Sequence, residues 1–277
     1  MRLSVAVALW LLPALARAHG LFDERLAPRL PSLLGALLLA VAWLGHAAGC
    51  RRRPPPARRF WAFQLALLLS VLALFGPLDE RAESSAALHM IQHMLLMLAI
   101  APLLALARPL TQWRRLGGRP LAPAWRALAR LARRPPACAA LHGAAIWIWH
   151  APGPYRLALE QPWWHVGEHA CLLGSAWLFW WSVLQAGPRE RGRALLALLL
   201  TGMHTGLLGA LLTFARLPLY RDGGALADQQ LAGLLMWVPG GLVYLLAAAD
   251  CARRGLRRIG HGRPESGYSQ GRGDDSS

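Results

Sequence analysis

The sequence contains no lysine, and only four of its 277 residues are cysteine. The cysteines are Cys50, Cys138, Cys171 and Cys251, and they form no C-x-x-C pair. Three of them lie near helix ends that we predict to face the cytoplasm, where disulfides are rare. We therefore expect the cysteines to be small packing residues rather than a redox or disulfide framework.

Acidic residues are scarce as well: there are 14, against 30 basic residues, and the formal net charge is +16. In a soluble protein this excess would indicate nucleic-acid binding. Here the arginines cluster in loops between long apolar runs. Membrane topology explains that distribution better, so no nucleic-acid partner is expected.

Long polar stretches are few, since 55% of the residues are hydrophobic and the mean hydropathy is +0.32. Runs of about 20 apolar residues recur, each long enough to cross a hydrocarbon core of about 30 Å. Such runs must be helical, because a lipid-exposed backbone has no water to bind. We predict an all-α polytopic membrane helix bundle with about seven spans, near residues 31–49, 60–76, 87–107, 137–150, 166–186, 194–214 and 230–249.

The first 18 residues have the pattern of a secretory signal peptide. A basic second residue precedes a short apolar run, and Ala16-Arg17-Ala18 forms an A-x-A cleavage site. Cleavage after Ala18 would leave His19 as a new N-terminus able to chelate copper; an uncleaved anchor is the alternative. Residues 19–252 then form the seven-span domain, and residues 253–277 a disordered cytoplasmic tail.

Arginine-rich loops alternate with mixed or acidic ones. The basic set comprises "RRRPPPARR", segment 108–135, loop 187–193 and the start of the tail; "PLDERAESS" is typical of the other set. The positive-inside rule places the basic loops and the C-terminus in the cytoplasm and the mature N-terminus in the periplasm of a bacterium. Trp163, Trp164 and Tyr155 then lie where an outer aromatic belt is expected.

Histidines gather at the outer ends of three predicted spans. His89 and His93 begin the third span, His150 ends the fourth, and His165 and His169 begin the fifth. Polar and ionisable residues in membrane spans are costly and tend to mark functional sites. The grouping therefore predicts a site in the outer half of the bundle, with His204 midway along the sixth span as a further candidate.

Both histidine pairs have the i, i+4 spacing, which puts their side chains on one helix face about 6 Å apart along the axis. A neutral imidazole has a free lone pair and can bind a metal ion. Two such pairs at one membrane face favour a metal site. Haem held between facing histidines is the main alternative.

Methionines accompany the first pair. Their thioether sulfurs favour a soft metal, with Cu(I) as the leading candidate, and would form an approach route to the site. Glu168 and Asp228 would orient imidazoles or attract cations. The methionines concerned are Met90, Met94 and Met97.

The segment "HVGEH", residues 165–169, also matches the H-x-x-E-H pattern of inverted zinc proteases, in which the glutamate activates water. A third ligand in the usual downstream context is not identifiable. Arrangements of Ser, His and Asp that would indicate a hydrolase are not evident either. We therefore predict that the protein is not an enzyme.

Several blocks in order resemble the multi-span CtaG family of cytochrome c oxidase assembly factors. They are "HMIQHMLLMLAIAPLLALARP", "IWHAPGPYRLALEQPWWHVGEHACLLGSAWLFWWSVL", "GLLGALLTFARLPLY" and "DQQLAGLLMWVPGGLVYL". The resemblance covers roughly residues 30–250. It is closest at the two histidine-rich openings and at a D-Q-x-x-x-G-x-x-x-W stretch formed by Asp228, Gln229, Gly233 and Trp237.

The resemblance implies a membrane-integral factor that helps to make active haem–copper oxidase, by supplying copper to it. Oxidase subunits would then be its partners, with periplasmic copper chaperones as further candidates. Two other functions remain open: copper transport across the inner membrane, with His204 as an intermediate station, and a haem-binding redox protein.

Overall fold

The computed structural model describes residues 30–117, 122–220 and 225–260, and within these ranges the chain forms helices and no strand. The all-α prediction is thus confirmed. The predicted signal peptide, His19 and residues 261–277 of the predicted tail lie outside the described residues.

Long helices are interspersed with short ones, and several helices follow one another with only a few residues between them. In chain order they are α1 (Leu30–Arg52), α2 (Ala57–Phe75), α3 (Pro77–Ala82), α4 (Ala86–Ala107), α5 (Leu110–Gly117), α6 (Ala122–Leu131), α7 (Pro135–Trp149), α8 (Pro152–Glu160), α9 (Pro162–Leu184), α10 (Arg191–Thr213), α11 (Leu226–Leu235) and α12 (Gly241–Gly260). Helix α12 continues beyond Arg253, where the predicted tail begins.

Five helical stretches among the described residues are long and apolar enough to cross a membrane. They are Leu30–Arg52, Ala57–Phe75, Ala86–Ala107, Pro188–Thr213 and Leu226–Arg257. Each coincides with a predicted span.

The other two predicted spans correspond to α7 and α9. Helix α7 has 15 residues, which is about 22 Å of helix and shorter than the hydrocarbon core. Helix α9 has 23 residues, but His165, Glu168 and His169 lower its hydropathy. A count of seven spans therefore stays a prediction.

Two π-helical turns interrupt the regular α-helical geometry, at Leu95–Ile100 within α4 and at Met236–Gly240 between α11 and α12. Pro102 and Pro239 account for their positions. Each lacks a backbone N–H, and its ring would collide with the carbonyl four residues earlier in a regular α-helix. A widened turn accommodates this clash and keeps the helix continuous.

The core lies where α9 packs against α4 and α7, and where α10 packs against α7, α11 and α12. Leu172, Phe179 and Leu198 are fully buried there. Leucines such as Leu37 and Leu245 are more than half exposed, as expected for side chains that face lipid. Helix α9 is thus central, and its first turns reach the end of the bundle where α4 begins.

All four cysteines are free. Cys138 and Cys251 are buried, Cys50 is half-buried and Cys171 is exposed. Cys138 donates to the carbonyl of Leu131 at 3.3 Å, so it packs at the start of α7.

Candidate metal centre

Helix α4 begins at a well-defined cap. Ser85 has an extended backbone and its hydroxyl accepts a hydrogen bond from Leu88 N at 3.3 Å. Asp228, in the first turn of α11, accepts from the Ser85 hydroxyl at 2.8 Å and from Ala86 N at 2.6 Å. These bonds satisfy amides that would otherwise have no helical partner, and they fix the first turn of the helix that carries His89 and His93.

Four side chains from two helices converge beside this cap. His89 and His93 come from α4, and Glu168 and His169 come from α9; one ligand atom of each lies within 4.8 Å of the others. All four side chains are buried. The i, i+4 spacing puts both members of each histidine pair on the inward face of its helix, as the sequence predicts.

Glu168 lies between the two histidines of α4. Its Oε2 is 3.4 Å from His89 Nε2, and its Oε1 is 3.5 Å from His93 Nε2. Two donor atoms that each lie about 2.1 Å from a tetrahedral metal ion are about 3.4 Å apart. These two separations suit a shared metal ion, and the other donors, which lie within 4.8 Å of one another, would move closer on binding.

The polar atoms of this cluster have no hydrogen-bond partner among the described residues. They include both ring nitrogens of His89 and His93, both oxygens of Glu168 and Nε2 of His169. Buried polar atoms without partners are rare and each costs about 1–3 kcal/mol. A carboxylate with no exposed surface also needs a cationic partner. One metal ion would bind one nitrogen of each imidazole and balance the charge of the carboxylate, so the donor set fits a metal.

Two further histidines flank the four. His165 is half-buried, and its ring centroid lies 4.2 Å from that of His169 and 5.4 Å from that of His89. Its Nε2 has no hydrogen-bond partner among the described residues. Because His165 alone of this group keeps partial exposure, it marks the side from which an ion could reach the buried donors.

His150 lies on the other flank, with its ring centroid 5.6 Å from that of His93. Its Nδ1 is 2.8 Å from the carbonyl of Ile146, so Nδ1 carries the proton and donates. The lone pair is then on Nε2, which is buried without a described partner. The local hydrogen bond therefore prepares His150 as a neutral ligand.

Two tyrosines, Tyr155 and Tyr220, close the site, and the sequence analysis did not predict this. Tyr155 was expected in an outer aromatic belt, but it is only 3% exposed, and its ring lies 5.2 Å from that of His89. That expectation is wrong for Tyr155, whereas Trp163 and Trp164 are about half exposed. Helix α8 turns Tyr155 inward, where it stacks on Tyr220 at 3.9 Å.

Tyr220 in turn donates to the carbonyl of His150 at 3.0 Å. Burial, with Tyr155 and Glu168 nearby, raises the pKa of the Tyr220 hydroxyl. It therefore stays protonated and remains a donor. The signal that could have identified these tyrosines is their position in the loops next to the histidine-bearing helix ends.

The remaining predicted ligands lie elsewhere. Met90 and Met97 are buried in the hydrophobic core, and the Met94 sulfur lies 3.4 Å from where a Cβ on Gly240 would be. Asp228 uses its oxygens in the α4 cap. His204 packs against Gly143, with its Nε2 2.9 Å from a Cβ built there, and is not among the four clustered ligands.

A separate polar contact lies deeper in the bundle. His142 on α7 is fully buried, with Nδ1 3.0 Å from the hydroxyl of Ser175 and Nε2 3.3 Å from the hydroxyl of Tyr244. Both nitrogens are therefore engaged, and His142 links α7, α9 and α12 as a satisfied core histidine.

A sequence model of the cytochrome c oxidase caa3 assembly factors (Caa3_CtaG) matches residues 37–258. The chain belongs to this family. The match includes both histidine pairs, Glu168 and the capping Asp228, so the resemblance noted from the sequence is confirmed. No curated protein and no solved structure matches the chain.

The D-Q-x-x-x-G-x-x-x-W stretch of this Caa3_CtaG chain is structural. Asp228 caps α4, and Gln229 Oε1 accepts from Leu219 N at 2.7 Å. A Cβ on Gly233 would lie 2.5 Å from Thr213 N, so only glycine permits the close approach of α11 to α10. Trp237 packs over Gly206. The stretch holds α11 against α10 and α4 and thereby positions the histidines of α4.

Proposed function

We propose that this chain binds a copper ion at His89, His93, Glu168 and His169 and passes it to cytochrome c oxidase during assembly. One observation carries the proposal: four buried donor atoms lie within 4.8 Å of one another. Family membership supports the second half, since the matching family consists of oxidase assembly factors. Copper is the cargo, and no covalent catalysis is required.

The donor set consists of imidazole nitrogens and a carboxylate. Imidazole suits copper, zinc, iron and nickel alike, so the choice of copper depends on the haem–copper oxidase as recipient. The methionines of α4 would add softer donors that favour Cu(I) only if their side chains turned towards the site. The nitrogen-rich set can also bind Cu(II), and spectroscopy of the copper-loaded protein would determine the oxidation state.

The proposed route begins at His165. Its partial exposure makes it the first imidazole that an incoming ion would meet, before the buried pair of α4 and His169. His150, with a prepared lone pair, would serve as an exchange ligand on the opposite flank. Transfer by exchange among such closely spaced ligands needs no large motion of the helices.

The proposed orientation follows from the loops. With the arginine-rich loops in the cytoplasm, the beginnings of α4 and α9 lie at the periplasmic side of the inner membrane. Copper would be accepted there, from a soluble chaperone or directly, and passed on to an oxidase subunit. This orientation requires α7 and α9 to span the membrane, which gives seven spans.

Copper transport across the membrane is a second candidate. Thr201 and His204 on α10 favour it. The Thr201 hydroxyl and His204 Nδ1 are buried with no hydrogen-bond partner among the described residues, and both residues lie deeper in the bundle than the four clustered side chains. Haem is not favoured, because donor atoms within 4.8 Å of one another leave no room for a porphyrin between them.

Purification of the full chain with metal analysis tests the proposal. We expect about one copper per chain, and a His89→Ala/His93→Ala variant should lose it and fail to restore oxidase activity in a strain that lacks the chain. His46→Gln is the matched control, since His46 is equally buried but stacks on Phe63 in another helix. It should keep both properties.

Two results would contradict the proposal. One is a double variant that keeps its copper and still supports oxidase assembly. The other is a Soret band in the purified protein that disappears with the same two substitutions. Copper uptake into vesicles containing the pure protein, abolished by His204→Ala, would identify a transporter instead.

A further inference from the structure

A cavity of about 490 Å³ lies at the opposite end of the bundle from the histidines. It opens between the end of α4, helices α5 and α6, and the last turns of α9. Along α9, His165 and Trp181 are about 24 Å apart at 1.5 Å per residue. The metal centre and this cavity are thus separated by most of a membrane thickness.

The cavity is positively charged. Arg108 and Arg114 line it, and none of the described residues that line it is acidic. Burial lowers the pKa of Arg108, and the charges of Arg59 and Arg58, at the start of α2, lower it further. Arg108 nevertheless stays charged at neutral pH. A site with this excess of guanidinium groups attracts an anion.

A further donor without a partner belongs to a residue of the cavity wall. Trp125, on α6, also lines the cavity, and its Nε1 is buried with no hydrogen-bond partner among the described residues. A buried indole N–H normally finds an acceptor. Two guanidinium groups and an unpartnered N–H, all on residues that line one cavity, match the oxygens of a phosphate group.

The rest of the wall is apolar and aromatic. Trp177 and Trp181 of α9 and Leu104 of α4 line it. Tryptophan is enriched at the interface between hydrocarbon and headgroups. Helices α5 and α6 each carry arginines beside apolar residues, as helices that lie along this interface do. The cavity therefore offers charge at the headgroup level and an apolar surface for acyl chains.

We propose that this cavity binds an anionic phospholipid. Arg108, Arg114 and the N–H of Trp125 contact the phosphate, and the acyl chains run along Trp177 and Trp181. Basic pockets between helices at the cytoplasmic side of a membrane bind lipid headgroups of this type. A free phosphate ion shares the headgroup chemistry but would leave the aromatic wall unused.

Native mass spectrometry of the full chain in detergent tests the assignment, with phosphatidylglycerol, phosphatidylcholine and inorganic phosphate as separate probes. We expect tight binding of phosphatidylglycerol alone. Arg108→Gln/Arg114→Gln should weaken it about 30-fold, from about fivefold per arginine. Trp125→Phe, which removes only the N–H, should weaken it severalfold.

Arg126→Gln is the matched control. Arg126 is an exposed arginine on α6 that does not line the cavity, and its loss should leave binding unchanged. Equal binding of phosphatidylcholine would overturn the proposal, as would full binding by the double variant. Displacement of bound lipid by inorganic phosphate at similar concentration would also overturn it, because it would identify a free-anion site.

Discussion

The Asp228 carboxylate accepts a hydrogen bond at 2.8 Å from the hydroxyl of Ser85, a residue 143 positions earlier in the sequence. This contact joins α11 to the first turn of α4, one turn before His89. The aspartate is therefore part of the support for the candidate metal centre rather than one of its clustered residues.

Asp228→Asn should lower the thermal stability of the protein. An amide group cannot accept from both Ala86 N and Ser85 Oγ as the carboxylate does, and loss of such a cap costs about 1–2 kcal/mol. Copper affinity should fall less than it does when a ligand is removed. Thermal unfolding followed by circular dichroism, with copper titration, measures both. Asp250→Asn is the control, because Asp250 pairs with Arg253 and Arg254 at the surface, where such pairs contribute little. Equal stability of the two variants would contradict the role of the cap.

Glu168→Gln should separate binding from folding. The substitution keeps the shape of the side chain but removes a buried charge, so the metal-free protein should be as stable as the wild type or more stable. Copper affinity should fall at least about tenfold, and the rise in melting temperature with copper should shrink. The exposed Glu160→Gln gives the comparison. Unchanged affinity in Glu168→Gln would remove Glu168 from the site.

Copper retention should depend on pH. An imidazole must be neutral to bind a metal, so protons compete with copper and affinity falls as the pH is lowered. Equilibrium dialysis between about pH 8 and about pH 5 should show a loss that involves more than one proton per copper. A site built from methionine sulfurs alone would hold copper equally well over this range.

Gly233→Ala should weaken the contact between α10 and α11. The new methyl group would lie 2.5 Å from Thr213 N and 2.6 Å from Gly209 O, and backbone atoms cannot move aside cheaply. We expect a loss of about 1–3 kcal/mol and a lower melting temperature. Gly174→Ala, within α9, meets nothing within 4 Å and should be neutral or slightly stabilising. If both substitutions behaved alike, the close helix approach would not depend on Gly233.

Much of the site follows from local rules. The i, i+4 spacing placed each histidine pair on one face, and the arginine-rich loops placed both pairs at the same end of the bundle. Five predicted spans coincide with long apolar helices. These features depend on helix geometry and on charge distribution, both of which can be read from the sequence.

The rest depends on packing between distant helices. The inward turn of Tyr155 is set by α8, a short helix whose 9 residues give little periodic signal. The capping role of Asp228 needs α11 to meet α4, and the sequence contains no direct sign of that contact. Likewise, Met90 and Met97 share their helix with the histidines but are buried in the hydrophobic core, and their spacing along one helix does not reveal this.

The π-helical turn within α4 has a wider consequence for the chain. The extra residue it holds at Leu95–Ile100 rotates everything before it by about 100° relative to everything after it. The end of α4 can therefore pack its apolar face against α2 and α9 while the beginning aims both imidazoles at Glu168. Removal of one residue from this turn would leave the length of the helix almost unchanged but would point the histidine pair away from its partners. The position of the candidate metal centre is thus set by an angle in α4, and we expect a single-residue insertion or deletion there to abolish copper binding while preserving the helical fold.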